Sequence, residues 1–221
     1  MASDDLMDAY LDPLFPEVDA ALRQGKHLGT DGEPLVYAYL NAHHDALTSI
    51  FARYRVAFLR GPEGYFYIRP QSGSDRQPLG HRHLTKMDML VGLALSGMYL
   101  DPEWLQTGRR IPEERVLTYL EQVLGTKQLL QYARRRRGQD DERDAQKLKE
   151  ACASSLRVLE KLGFVRREGR RESAVVIPLS PIMRFADPVR STGLATEAIE
   201  RLIREGEIEE IDESGFADGE T

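Results

Sequence analysis

Residues 140–178 constrain the fold of this chain more than any other stretch. Asp140 or Asp141 can cap a helix by accepting from the free N–H groups of its first turn. Ala145, Leu148, Cys152, Ser155 or Leu156, Leu159 and Leu162 then recur at helical spacing and give that helix one apolar face. Gly163 follows at the place where a left-handed residue closes the last turn. The chain at once becomes extended: Phe164-Val165-Arg166-Arg167, a turn at Glu168-Gly169-Arg170-Arg171, then Ala174-Val175-Val176-Ile177. Helix, glycine, strand, basic turn and strand is the order of the last helix and wing of a winged-helix domain.

The polar side of the same helix carries a second pattern. Arg143, Lys147, Ser154, Arg157 and Lys161 lie three, four or seven residues apart and line one face. The wing adds Arg166, Arg167, Arg170 and Arg171. From Lys127 to Arg171 there are fourteen Lys/Arg against seven Asp/Glu, a local +7 in a chain of net charge −6. Those cations form a candidate DNA-binding surface, since neutralising phosphates is the main sequence-independent term in DNA binding. The plainer alternative is a solvated helix face.

With 221 residues and 41% hydrophobic content, the chain can form one large or two small domains with real cores. The longest apolar run, Met89 to Leu100, is interrupted by Gly92, Ser96 and Gly97 and is too short for a bilayer, so a soluble protein with no membrane partner is expected. Ala2-Ser3-Asp4-Asp5 is acidic, unlike a secretory leader. One cysteine excludes an internal disulfide and suits a reducing cytoplasm; Cys152, on the apolar helix face, reads as a core residue.

Upstream, a short helix before Pro13 is followed by a helix from Pro16 to Gln24 that stops at Gly25. Pro34 opens a long helix to Tyr54 with Val36, Leu40, Leu47, Ile50, Phe51 and Tyr54 inward. Val56 to Leu59 and Tyr65 to Ile68 flank the turn Gly61-Pro62-Glu63-Gly64 and form a hairpin. The first half thus repeats the order of the second, helices and then a wing. Residues 71–80 read as a linker. Thr85 and Asp88 form a capping-box variant ahead of an apolar helix ending at Asp101-Pro102. A helix from Ile111 buries Val116, Leu117, Leu120, Val123 and Leu124, and a shorter one runs from Thr126 to about Tyr132. Ser180-Pro181 begins a short helical turn to Phe185. Leu194 to about Arg204 is amphipathic, and residues 205–221 hold eight Asp/Glu and no Lys/Arg, the composition of a disordered tail.

The expected fold class is mainly α with small β-hairpins (α+β), as two tandem winged-helix domains. The boundaries are 1–80 for the N-terminal winged helix and linker, 81–187 for the C-terminal one, and 188–221 for a C-terminal helix and acidic tail. Alternation in the first wing leaves Tyr65 and Tyr67 outward, so they become candidate dimer contacts. Leu202, on the apolar line of the C-terminal helix, is a candidate partner contact.

Catalytic chemistry is not legible. His81 and His83 make a weak metal pair without Cys or paired carboxylates nearby, and His43 and His44 fall at a helix edge. No phosphate loop or nucleophile elbow is present, and no nucleophile, base and oxyanion donor assemble. The expectation is a non-enzyme with no cofactor, no metal site and no catalytic residues.

Five blocks carry a family resemblance: PLFPEVDAALRQGKHLG (13–29), FARYRVAFLRGPEGYFYIRP (51–70), LTKMDMLVG (84–92), DAQKLKEACASSLRVLEKLGFV (144–165) and FADPVR (185–190). The chain resembles the MukE family of bacterial condensin subunits, collinearly up to about Arg190, with Trp104–Gln139 and the tail matching least. The resemblance implies tandem winged-helix domains and a homodimer bound to the kleisin MukF, which bridges to the SMC ATPase MukB. It also implies sequence-nonspecific contact with DNA, location at the nucleoid in the cytoplasm, and a role in chromosome condensation, organisation and segregation. The alternatives are a subunit of a related plasmid-defence condensin and a dimeric winged-helix transcription regulator.

Overall fold

The computed structural model describes residues 2–71, 84–133, 141–169 and 173–187; the side chains of residues 2–4, 131, 133 and 141–143 fall outside that description. The 71–80 linker (apart from Gln71), His81 and His83, and the segments beyond Asp187 with Leu202 and the acidic tail lie outside it too. The described chain is mainly helical with two small antiparallel sheets.

The first half opens with α1 (Ala2–Leu11) and α2 (Phe15–Arg23). Pro16 sits in the first turn of α2, and Gly25, at φ +80°, turns the chain after it. The single long helix expected from Pro34 to Tyr54 is two helices, α3 (Pro34–Ala42) and α4 (His44–Ala52). His43 leaves the helical region at φ −109°, ψ 24°, with its ring against Tyr39. The break lets α3 bury Tyr39 and Leu40, and α4 bury Ala46, Leu47 and Phe51. Strands β1 (Val56–Arg60) and β2 (Phe66–Pro70) pair antiparallel, with Phe58 opposite Ile68. Leu28 bridges the other edge of β2 through reciprocal backbone bonds with Phe66. Val18, Leu22, Leu40, Leu47, Phe51, Phe58 and Phe66 form the core of this half.

The second half repeats that order. α5 (Lys86–Leu100) starts on the expected capping box: Thr85 Oγ1 accepts from the Asp88 N–H at 3.1 Å, and the Asp88 carboxylate accepts from the Thr85 N–H at 2.9 Å. Asp101 then caps a short α6 (Pro102–Gln106) that the sequence reading did not separate. Ile111–Pro112 is a short strand, β3, rather than the start of a helix. α7 (Glu113–Leu124), α8 (Thr126–Ala133) and α9 (Asp141–Lys161) follow, then β4 (Val165–Glu168) and β5 (Val175–Pro178), with sheet order β3-β5-β4. A 3₁₀ turn at Ser180–Ala186 packs against α5. Val116, Leu117 and Leu120 face a separate core that holds Leu148, Cys152, Leu156 and Leu159. Val123, expected inside, is 62% exposed, because the inward row of α7 runs through Val116, Leu117, Leu120 and Leu124 and leaves Val123 beside it. At the start of α9, Asp144 is the buried residue and Ala145 is exposed, so the inward row begins one residue earlier than the apolar stripe suggests.

The halves meet where α9 ends. Gly163 adopts φ +77°, and a Cβ there would fall on the His27 carbonyl oxygen, so only glycine permits this approach. The His27 N–H donates to the Leu162 carbonyl at 2.8 Å, and Asp31 Oδ2 accepts from the Ser180 N–H at 2.6 Å. The His27 ring stacks on Tyr67 at 5.2 Å and lies 4.2 Å from Phe164. Arg184 completes the joint, with Nη1 2.6 Å from His27 Nε2 and its guanidinium 4.4 Å over the Tyr67 ring.

Burial, with the Arg184 charge beside it, holds His27 well below the usual 6.5 and keeps the imidazole neutral. Its Nε2 then accepts from Arg184. The unfolded chain binds a proton at pH values where the folded chain does not, so this contribution is intact above about pH 6.5 and is lost as pH falls below it. We predict that thermal stability drops between pH 7 and pH 5.5 by on the order of 1 kcal/mol from this group. His27→Gln, which can accept from Arg184 but does not titrate, should flatten that part of a melting profile; an unchanged slope would assign the loss to other groups.

Candidate nucleic-acid interface

α9 turns a cationic face outward because its buried row lies on the other side of the helix. Leu148, Cys152, Ser155, Leu156, Leu159 and Leu162 are buried, which leaves Lys147, Ser154, Arg157 and Lys161 exposed on the opposite face. Lys147 Nζ lies 3.5 Å from Asp144 Oδ1. Arg157 and Lys161 have no ion-pair partner among the described residues. Glu150 falls on the same face, where it accepts from Gln146 at 2.9 Å and dilutes the positive charge by one. Burial pushes the Cys152 thiol up to about 12, the state of a core residue and not of a nucleophile.

The wing divides into an outward and an inward arginine. Arg166 points outward, with Nε 3.3 Å from Glu168 Oε1. Arg167 turns inward and is only 24% exposed: Nε and Nη2 donate to the two Glu113 oxygens at 2.6 and 3.2 Å. Glu160 Oε1 accepts from the Arg167 N–H at 3.1 Å and lies alongside its guanidinium, so this residue ties β4 to α7 and α9. Arg167, expected among the phosphate-facing cations, is thus held by two carboxylates. The side chains of Arg143, Arg170 and Arg171 lie outside the described residues.

One cation near this face was not read from the sequence. Arg110 Nη2 is 2.6 Å from Glu168 Oε2, so Glu168 sits between Arg110 and Arg166 at the sheet edge. The signal was hidden because Ile111 looked like a helix start, whereas β3 pairs with β5 and carries Arg110 to the wing. Lys147, Arg157, Lys161, Arg166 and Arg110 are thus described cations of this face that reach solvent. Three of them are guanidinium forks and two are ammonium point charges, and both kinds of group bind phosphate oxygens.

The aromatic pair of the first wing is used differently from the expectation. Strand alternation does place Tyr65 and Tyr67 on the face away from Phe66, but His27 of the same half and Arg184 of the second lie against that face. Tyr65 is 1% exposed, with its ring over Gly61 and near His27, and Tyr67 is half-buried beneath Arg184. Tyr65 is therefore not an exposed dimer contact. Among the described residues no group of His, Cys, Asp and Glu could hold a metal ion, and no helix is long and apolar enough to cross a membrane.

The two wing arginines should separate in a stability measurement. Arg167→Ala strands Glu113 half-buried and should cost about 2 kcal/mol in denaturant unfolding, while Arg166→Ala should cost less than about 0.5 kcal/mol. Equal costs would remove the distinction.

Comparison with known proteins covers nearly the whole chain. A model of the MukE-like family matches residues 2–219. The chromosome partition protein MukE of Escherichia coli (strain K12) is 37% identical over 202 residues, covering 91% of this chain and 84% of that protein. The protein of the same name from Shigella flexneri is 37% identical, with 91% and 87% covered, and that from Histophilus somni 36%, with 91% and 80% covered. A match of this extent, spanning both halves and the joint between them, places the chain in the MukE-like family.

Proposed function

We propose that this chain is the non-catalytic MukE-type subunit of a bacterial SMC condensin of the MukB–MukE–MukF kind, acting in chromosome partition. The observation that carries the reading is the family match from residue 2 to residue 219, together with relatives named as chromosome partition proteins. In this reading the repeated order of helices, bridging strand and hairpin makes two winged-helix domains. The chain dimerises, binds the kleisin MukF and through it works with the ATPase MukB at the nucleoid. With Tyr65 and Tyr67 used internally, the first half still exposes Met7, Tyr10 and Leu11 on α1 and Leu35 on α3, an apolar set suited to a second copy.

DNA contact falls to Lys147, Arg157, Lys161, Arg166 and Arg110. An acidic chain of net charge −6 opposes binding by the isolated subunit, so affinity is weak alone and rises when the complex holds DNA nearby. The test is charge reversal at the two cations without ion-pair partners among the described residues. In the assembled complex, Arg157→Glu with Lys161→Glu should lower DNA affinity about tenfold or more. The slope of log affinity against log salt should shrink by about 2, at every sequence tried. Kleisin capture should be unchanged. The control is Arg53→Glu with Arg69→Glu in the first half, which should do much less. Equal loss from both pairs leaves only bulk charge, and no loss from the first returns α9 to a solvated face.

A further inference from the structure

The joint between the halves has two ends of different chemistry. At one end Gly29 lies so near Ser180 that a Cβ would come within 2.6 Å of the Ser180 hydroxyl oxygen, and the Asp31 carboxylate accepts from the Ser180 N–H. That contact contains no histidine, the side chain that ordinarily changes charge between pH 5 and pH 8. At the other end the His27 ring, 7% exposed, lies against Tyr67 of the first half and Phe164 of the second. Its Nε2 accepts from Arg184 at 2.6 Å, and its Nδ1 is buried without a hydrogen-bond partner among the described residues.

A second proton on this ring goes to Nε2 and sets two cations donor to donor. The backbone carbonyls of Leu162 and Gly25 favour the charged ring, but burial and the Arg184 charge outweigh them. Glu63 in the hairpin turn and Asp187 after the 3₁₀ turn act on the neighbouring Tyr65 phenol, and neither offsets Arg184 at His27. A charged ring is therefore not accommodated where the neutral one sits. Neither of the two hydrophobic cores includes His27, so the halves can part there without giving up either core.

We propose that the His27–Arg184 end of the joint is a proton-operated latch, which opens when His27 takes up a proton while the Asp31–Ser180 end holds as the pivot. The open form binds that proton at the ordinary histidine value and the closed form does not. The ratio of open to closed chains should then rise about tenfold between pH 7.5 and pH 5.5.

The experiment measures backbone amide exchange in the full chain at both pH values, each corrected for the intrinsic rate. Protection of the His27 amide, bonded to Leu162, should fall about tenfold, while the Ser180 amide and the centre of α4 keep theirs. His27→Gln should abolish the pH response at that amide, and Arg184→Met, which removes the opposing charge, should shrink it. Unchanged protection at His27 overturns the proposal, as does an equal loss at Ser180 or in α4, or an undiminished response in either variant. A second measurement asks whether the halves themselves move. Spin labels on Ser49→Cys in α4 and Ser154→Cys in α9, both exposed positions, report the distance between halves, with the buried Cys152 left unlabelled. A second distance should appear at pH 5.5 and be missing when His27→Gln is added. One unchanged distance overturns the proposal, since the amide would then open without the halves parting.

Discussion

A missing side chain at Gly163 governs how the two halves of this molecule meet. At φ +77° the residue ends α9 and releases β4, and its bare α-carbon accepts the His27 carbonyl where a methyl group could not fit. Everything else at the joint follows from that approach. The His27 N–H reaches the Leu162 carbonyl, its ring enters a stack with Tyr67 and Phe164, and Arg184 closes over both. Asp31 then holds the N–H of Ser180 a few residues away. The same contact fixes α9 by its far end and leaves the outer side of that helix free along its length.

Local elements were legible in the sequence because their causes are local. The capping box at Thr85, the stop at Gly163 and the hairpin around Gly61 to Gly64 each rest on residues a few positions apart. Covers and partners were not legible, because periodicity says which side of an element is apolar and not what lies against it. Tyr65 and Tyr67 do face away from Phe66, yet what covers them is the segment around His27 and Arg184, more than a hundred residues apart in the chain. Arg167 looked like its neighbour Arg166 until Glu113, fifty-four positions away, took its guanidinium. His43 has no proline or glycine to announce that the long helix breaks there.

Acidic residues decide which part of the basic segment remains available. Glu113 and Glu160 hold Arg167, and Glu168 divides its charge between Arg110 and Arg166. Among the described residues, Arg157 and Lys161 are left as cations of α9 without an ion-pair partner. The free face of α9 and the closed face at the joint are therefore two consequences of one docking geometry.

That geometry is tested most directly by amide hydrogen exchange at His27, read in the native chain and in Gly163→Ala. The account predicts slow exchange in the native chain, since this N–H is buried and bonded to Leu162 across the joint. In Gly163→Ala the His27 and Leu28 amides should exchange at least tenfold faster, while amides in the centre of α4, remote from the joint, slow or quicken little. Unchanged protection at His27 would contradict the account, because it would mean that the halves meet without the close approach only glycine allows.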